Sequence, residues 1–325
     1  MQRALLASFI AMLAMATCLL LYLYFALPRQ TPARAIQVSQ TPEQVERGRY
    51  LAEHVVLCND CHSARDWSLY GGPAVPALSA DRACLTQRTK NIGVRVEDDN
   101  VPGVLCVRNL TPDQETGIGN WTDGEVIRAT REGIDRTGHA LYPIMPYSVY
   151  RAISDEDSAA LVAYLRQLPP IKAKWMGKGI EFPMGLLTQF WPEPINWSVR
   201  MPDKTEPVRY GGYLAAIGRC DYCHSVRRTY GRELAPETRF AGGVVFEIGG
   251  RQIVSPNLTP HESGLKNMSR EDFIAKFKSH SEPRQVPIER NTPMDWSAYS
   301  GMTEKDLGAI YDFLRTRRPV DTSLN

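Results

Sequence analysis

Apolar positions crowd the start of the chain and then thin into helical stripes. Ala4 to Leu27 is apolar throughout apart from Ser, Thr and Tyr hydroxyls, with Arg3 before it and Arg29 and Arg34 after it. A spanning helix needs about 20 apolar residues, whereas a cleaved signal has an apolar core of about 7–15. The run therefore predicts a membrane anchor over residues 1–28 that stays on the mature protein. Tyr22 and Tyr24 stand towards its outer end, where an aromatic belt would lie. The competing reading is a signal cut after Ala33-Arg34-Ala35. Cys18 suggests a lipoprotein site, but the apolar stretch that follows it argues against one. Further on, Thr41-Pro42-Glu43 predicts a helix start with proline in the first turn, where its missing amide is harmless. Thr122-x-x-Glu125, Ser154-x-x-Asp157, Ser269-x-x-Asp272 and Thr303-x-x-Asp306 have the form of helix N-caps. After the second and fourth, Leu161, Tyr164, Leu165 and Leu168, and likewise Leu307, Ile310, Phe313 and Leu314, fall on one helical face, and Pro169 and Pro319 end the pattern. No strand alternation matches these signals.

The helical signals come in two sets because the chain repeats itself. R-G-R-Y-L-A-E-H-V-V-L-C-N-D-C-H-S, ending at Ser63, matches Y-G-G-Y-L-A-A-I-G-R-C-D-Y-C-H-S, ending at Ser225. Each is followed by a Gly-Gly pair (Gly71-Gly72, Gly242-Gly243) and by N-L-T-P (Asn109–Pro112, Asn257–Pro260). Then come a methionine with an aromatic residue two on (Met145/Tyr147, Met294/Trp296), a tyrosine (Tyr150, Tyr299) and the capped closing helix. The expected organisation is the anchor, a first domain over 40–170, a linker over 171–207 and a second domain over 208–320. The linker is rich in Pro and in large apolar residues such as Trp175, Phe182, Phe190, Trp191 and Trp197, unlike a flexible Gly/Ser tether. It is expected to lie across one module and fasten the two together; a docking surface for a partner or the membrane is the sharper alternative. Modules this small, mainly α and loop-rich, would be marginal alone, and a buried cofactor would supply the missing core.

Charge narrows the partners little. The 325 residues carry a formal net charge of +2, without a long basic run, so nucleic acid is not an expected partner. Cysteine says more. Of 7 cysteines, Cys58/Cys61 and Cys220/Cys223 stand in C-x-x-C pairs, each followed by histidine. C-x-x-C-H is the attachment signature of c-type haem: two thiols add to the haem vinyl groups and the adjacent histidine reaches the iron. This assigns Cys58, Cys61 and His62 to one covalent haem and Cys220, Cys223 and His224 to a second. A four-cysteine zinc site would not require the histidines, and a redox dithiol should sit near a βαβ pattern, which is absent. Met145 and Met294, matched between the copies and each beside a proline (Pro146, Pro293), are the expected sixth ligands. A lone methionine is usually core, and the repeat is what lifts these two above that. His139 and His280 are the rival ligands but do not align with each other; His54 and His261 lack counterparts, and Met302 reads as core.

Together, N-L-T-P-D-Q-E-T-G-I-G-N-W-T-D-G-E, L-Y-P-I-M-P-Y-S-V-Y and S-D-E-D-S-A-A-L-V-A-Y-L-R-Q-L-P-P resemble the cytochrome subunit of membrane-bound alcohol and gluconate dehydrogenases. The resemblance implies tandem domains of the class I cytochrome c fold with His/Met-ligated haem. It also implies a role as electron carrier rather than enzyme. The implied donor is a quinoprotein or flavoprotein dehydrogenase, the implied acceptor quinone or the terminal-oxidase side. Export implies haem domains in the periplasm, held by one span in the inner membrane. Two features depart from the pattern: those subunits usually hold three haems where this chain has two motifs, and Gly264-Leu265-Lys266-Asn267 stands where Gly117-Ile118-Gly119-Asn120 stands in the first copy. A haem enzyme, such as a dihaem peroxidase or a thiosulfate dehydrogenase, is the alternative; it needs an open iron site, against which the two methionines argue. Cys84 and Cys106, in an oxidising compartment, are expected to pair.

Overall fold

The computed structural model describes residues 2–75, 95–96, 103–173, 177, 179–228, 233–234 and 238–322. Gln2–Ala26 is one helix. Its Gln2–Leu23 stretch has a mean hydropathy of 2.4, and the rest of the protein covers none of it, so it is long and apolar enough to cross a membrane. The chain leaving it is pinned at once. Gln30 Nε2 donates to Gly138 O (3.4 Å), Arg128 Nη1 to Thr31 O (3.2 Å) and Val38 N to Asp123 Oδ2 (2.8 Å).

The rest is mainly helical, and the elements recur in the same order. In the first copy the opening helix Pro42–Tyr50 runs into a wider π turn, Leu51–Val55. The motif helix Cys58–His62, a middle helix Asp123–Glu132, a single turn Tyr147–Tyr150 and the closing helix Asp155–Gln167 follow. The second copy has Pro207–Ile217, Cys220–Cys223, Arg270–Lys278, Trp296–Ser300 and Glu304–Arg315. All four expected caps form. The hydroxyls of Thr122, Ser154, Ser269 and Thr303 accept from the amides of Glu125, Asp157, Asp272 and Asp306 at 3.0–3.2 Å. Thr122 completes a reciprocal box, since its own amide donates to Glu125 Oε2 (2.7 Å).

In each copy the opening helix crosses the closing helix at backbone contact, and glycine permits it. A Cβ on Gly48 would lie 1.8 Å from Ala160 O, and one on Gly211 1.8 Å from Ala309 O. The copies also share a single core, in which Leu51, Val55, Ile153 and Leu161 cluster with Tyr210, Leu214, Ile217 and Leu307. A smaller core, around Val38, Ile118, Val126 and Val162, belongs to the first copy and the irregular segment that leads into it. The contact between copies is reciprocal at one pair of positions. Tyr50 donates to Asp306 Oδ2 and Tyr213 to Asp157 Oδ2, both at 2.7 Å. Each hydroxyl also accepts a cap-region amide, from Thr303 and Ser154 respectively, at 3.2 Å. Tyr50 and Tyr213 occupy the same place in the repeat, so each copy's opening helix holds the first turn of the other copy's closing helix.

Strands are short. Val245–Ile248 pairs antiparallel with Arg251–Val254, in register Val245↔Val254, around Gly249 and Gly250, both at positive φ. Arg95–Val96, from the first copy, extends that sheet by pairing with Glu247 and Phe246. The linker runs along the first copy: Arg151 bonds Glu193 (2.5 Å), Asp155 N donates to Val199 O (2.8 Å) and Arg34 to Trp197 O (3.0 Å). Met201, at its far end, reaches the shared core. Cys106 is disulfide-bonded; Cys84, its expected partner, lies outside the described residues.

Candidate cofactor-binding site

Each cysteine pair enters through a residue in the left-handed region, Leu57 at φ 59° and Arg219 at φ 58°. L-residues rarely adopt this conformation, and here it turns the chain sharply from the opening helix into the motif. The bend is tied from outside. Tyr150 Oη donates to Val56 O, and Tyr299 Oη donates to Gly218 O, both at 2.7 Å. Val56 and Gly218 each lie two residues before the first motif cysteine. The tyrosines lie five residues after Met145 and Met294, so the methionine-bearing loop of each copy is fastened to the start of its own motif.

The histidines are oriented by a second matched bond. His62 Nδ1 lies 2.7 Å from Arg108 O, and His224 Nδ1 lies 2.8 Å from Pro256 O. A carbonyl only accepts, so Nδ1 carries the proton and Nε2 keeps its lone pair. This is the arrangement that prepares a histidine to bind a metal through Nε2. The accepting carbonyls immediately precede the N-L-T-P segments, which are themselves anchored. Buried Asn109 donates to Ile171 O (2.7 Å) and Asn257 to Val320 O (2.8 Å), in the segments that leave the two closing helices. Thr111 and Thr259 brace the asparagines, accepting from Ile171 N and Val320 N and donating to the asparagine Oδ1.

Met145 and Met294 are half-buried and pack against the shared core, as do Cys58 and Cys220. Their carbonyls accept from the amides two residues on, Tyr147 N (2.7 Å) and Trp296 N (2.8 Å), giving the two loops the same local turn. The rival histidines are engaged elsewhere. His139 lies exposed against Thr137 Oγ1 (2.7 Å). His280 is stacked between Tyr70 and Trp296, with ring centroids 5.5 and 4.5 Å away. His54 bonds Ala298 O (2.9 Å) across the copies, and His261 bonds Ser263. Met302, 2% exposed, lies in the core, in the turn ahead of the closing helix.

The electrostatics disfavour a redox dithiol. Burial, and then the neighbouring Cys61 and Asp221 respectively, push the thiols of Cys58 and Cys220 up to about 12. A reactive dithiol needs the opposite shift. Burial lowers the pKa of His224, favouring the neutral ring. Among the described residues, no three His, Cys, Asp or Glu side chains converge as a zinc set would require. The site instead holds charge within it. Arg65 is ion-paired with Asp295, the residue after Met294, and caps Gly71 O (2.7 Å). Asp60 is buried beside them, its carboxyl raised by burial and then by Asp295. Arg219 holds its charge within electrostatic reach of Tyr150, Tyr299 and Cys61, groups that belong to both copies. Among the described residues its buried Nε has no hydrogen-bond partner, and neither has Asp60 Oδ2.

These residues fit covalent haem. Two thiols, a histidine with its Nε2 lone pair presented, and an orphaned guanidinium donor beside both motifs are what a propionate-bearing iron porphyrin asks of a chain. The sequence pairs Tyr150 with Tyr299 and marks N-L-T-P as part of the repeat, but not that the first ties the motif and the second presents the carbonyl that orients histidine. Arg219 has a weaker signal: its place opposite Leu57 in the repeat puts a charge where its counterpart is apolar.

No family model matches the chain. Cytochrome c subunits of alcohol, gluconate and fructose dehydrogenases are similar to it, at 25–30% identity over 72–89% of its length. The gluconate 2-dehydrogenase cytochrome c subunit of Pantoea cypripedii is 30% identical over 295 residues, 86% of this chain and 60% of that one. A diheme cytochrome c-type protein of Cereibacter sphaeroides is 32% identical over 210 residues, 62% of this chain and 63% of that one. A nicotinate dehydrogenase subunit of Pseudomonas putida is 37% identical over 187 residues, 54% of this chain and 15% of that one. The chain thus spans at most about three fifths of the length of the dehydrogenase subunits it matches. The resemblance expected from the motifs is borne out.

Proposed function

We propose that this chain is an electron-transfer cytochrome carrying two haem c groups, one on each copy of a class I cytochrome c-like domain, and held at the periplasmic face of the inner membrane by its N-terminal helix. The observation that carries the reading is the duplicated histidine geometry: in both copies a histidine after a C-x-x-C pair donates Nδ1–H to the carbonyl preceding N-L-T-P. When bound, haem supplies one-electron exchange. The chain's residues do the rest. Cys58 and Cys61, and Cys220 and Cys223, would attach the haem groups; His62 and His224, with Nε2 free, and Met145 and Met294 would hold the iron and leave no position for substrate. Arg219 and Arg65 would offer positive charge to the carboxylates of the cofactor. The starts of the two motifs are close neighbours: a Cβ on Gly218, two residues before Cys220, would lie 3.6 Å from Val55 O, three residues before Cys58. The donor we infer is a dehydrogenase subunit, because relatives covering most of the chain are named for dehydrogenases of alcohols and sugar acids. The acceptor is quinone or a terminal-oxidase chain.

Intact mass together with a pyridine haemochrome assay tests the cofactor. Two haems per chain are expected, falling to one when Cys58 and Cys61, or Cys220 and Cys223, are replaced by alanine. A wild-type chain with one haem, or with none, overturns the reading.

A further inference from the structure

The linker carries an apolar knuckle that nothing described in the protein covers. Phe182 is 84% exposed, Leu187 45% and Phe190 49%. The segment Phe182–Phe190, F-P-M-G-L-L-T-Q-F, contains no charged residue. Its polar groups are satisfied locally. Gly185 N donates to Glu181 O (3.0 Å), Leu187 N to Pro183 O (3.1 Å) and Thr188 Oγ1 to Gly185 O (2.8 Å). A short turn with locally paired backbone and outward apolar side chains suits the boundary of a bilayer, where unpaired amides would be costly.

Its place in the fold points the same way. The chain that continues from the knuckle packs on the exit of the N-terminal helix. Arg34 donates to Trp197 O (3.0 Å) and reaches Ile195 O (3.5 Å), and Trp191 meets Tyr142 edge-on at 6.2 Å. Gln30, which bonds Gly138, comes only four positions after Ala26, the last residue of the helix. Four extended residues span about 14 Å at most, so the face bearing Gly138, Tyr142, Trp191 and Trp197 stands at the membrane surface. Trp and Tyr gather at that depth in membrane proteins, and Trp197 is itself 55% exposed.

Resting on the reading of the helix as an anchor, we infer that Phe182–Phe190 dips into the outer leaflet as a second membrane contact, and that helix and knuckle together hold the first copy in one orientation over the bilayer. The occupant is lipid acyl chain, chosen for the continuity with the helix exit, the absence of charge and the aromatic rim. A protein partner on the same patch is the alternative that the test separates.

The test uses the full haem-loaded chain in vesicles of phosphatidylethanolamine and phosphatidylglycerol, with p-benzoylphenylalanine placed singly at Phe182, Phe190, Leu20 or Lys305. After illumination, peptide mass spectrometry reads the adducts. Acyl-chain adducts are expected at Phe182 and Phe190 with yields close to that at Leu20, and none at exposed Lys305. Adducts at Leu20 without any at Phe182 or Phe190, or cross-links from these to a second polypeptide in place of lipid, overturn the inference while leaving the anchor intact. Absence of adducts at Leu20 defeats the anchor itself, and the inference with it.

Discussion

His62 and His224 each surrender one ring nitrogen to a backbone carbonyl, and the consequence is directional: the remaining lone pair faces away from the N-L-T-P segment. What stands opposite sets the potential. The axial ligand is among the chief levers on haem potential, over a range on the order of 0.8 V across haem proteins. Met145→His is therefore expected to lower the potential of one haem, keep it six-coordinate and leave the other nearly unchanged, while Met294→His does the same to the other. Met302→Leu, in the core, should do neither. Spectroscopic redox titration, read with the sulfur-to-iron charge-transfer band, checks this; a band that survives both Met145→Leu and Met294→Leu removes the assignment. Arg219 acts differently, because its charge lies within electrostatic reach of groups in both copies. A fixed positive charge favours the reduced state of any centre within its field. Arg219→Met should accordingly lower both potentials in the same direction. A shift at one haem alone would show that the guanidinium belongs to a single site.

The repeat marks corresponding helices, but period and caps name faces, not partners. Leu161 and Leu165 read as one buried face, yet Leu161 packs in the shared core while Leu165 joins Val162 and Ala163 in the smaller core with Val38 and Ile118. That second contact depends on the irregular segment leaving the N-terminal helix, which has no periodicity to read. The caps, by contrast, are fully legible, since Ser or Thr three residues before an acid satisfies a nearby amide with a local hydroxyl. The crossing of opening and closing helices lies between these extremes: Gly48 and Gly211 stand out as matched, but the close approach that demands them is tertiary. It yields a sharp expectation. An added methyl at either glycine would sit 1.8 Å from a carbonyl oxygen. Overpacking of this kind costs about 1–3 kcal/mol, and more where backbone cannot yield. Gly211→Ala should reduce stability by at least that much, whereas Gly212→Ala, facing the movable ring of Phe313 at 2.9 Å, should cost less. Denaturant unfolding of the two variants compares them directly; equal costs would mean that the helices can separate freely.

At the scale of the molecule the copies are not beads on a string. Leu51, Val55 and Leu161 of one pack with Leu214, Ile217 and Leu307 of the other, so neither opening helix has a complete core without its counterpart. The polar contacts say the same. Asp157 receives a bidentate pair from Arg47 of its own copy at 2.8–2.9 Å and the hydroxyl of Tyr213 from the other at 2.7 Å. Asp306 receives Tyr50 in the mirrored place. Buried acceptors deprived of one donor carry the desolvation cost, about 1–3 kcal/mol. Tyr213→Phe removes a donor from Asp157 and an acceptor from Ser154 N in the first copy, without touching either motif. Two independent domains would answer with destabilisation in one, and its haem would lose native ligation before the other. A shared core predicts instead a single transition, monitored at both Soret bands, that falls by about 2–4 °C per kcal/mol lost. Tyr50→Phe should lower the same transition from the opposite side. The double variant decides between coupling and simple addition: the two tyrosines lie in one interface, and contacting sites commonly depart from additivity by about 0.5–3 kcal/mol. Two separated transitions in any of these variants would show that the copies fold apart and that the reciprocal tyrosines only decorate their junction.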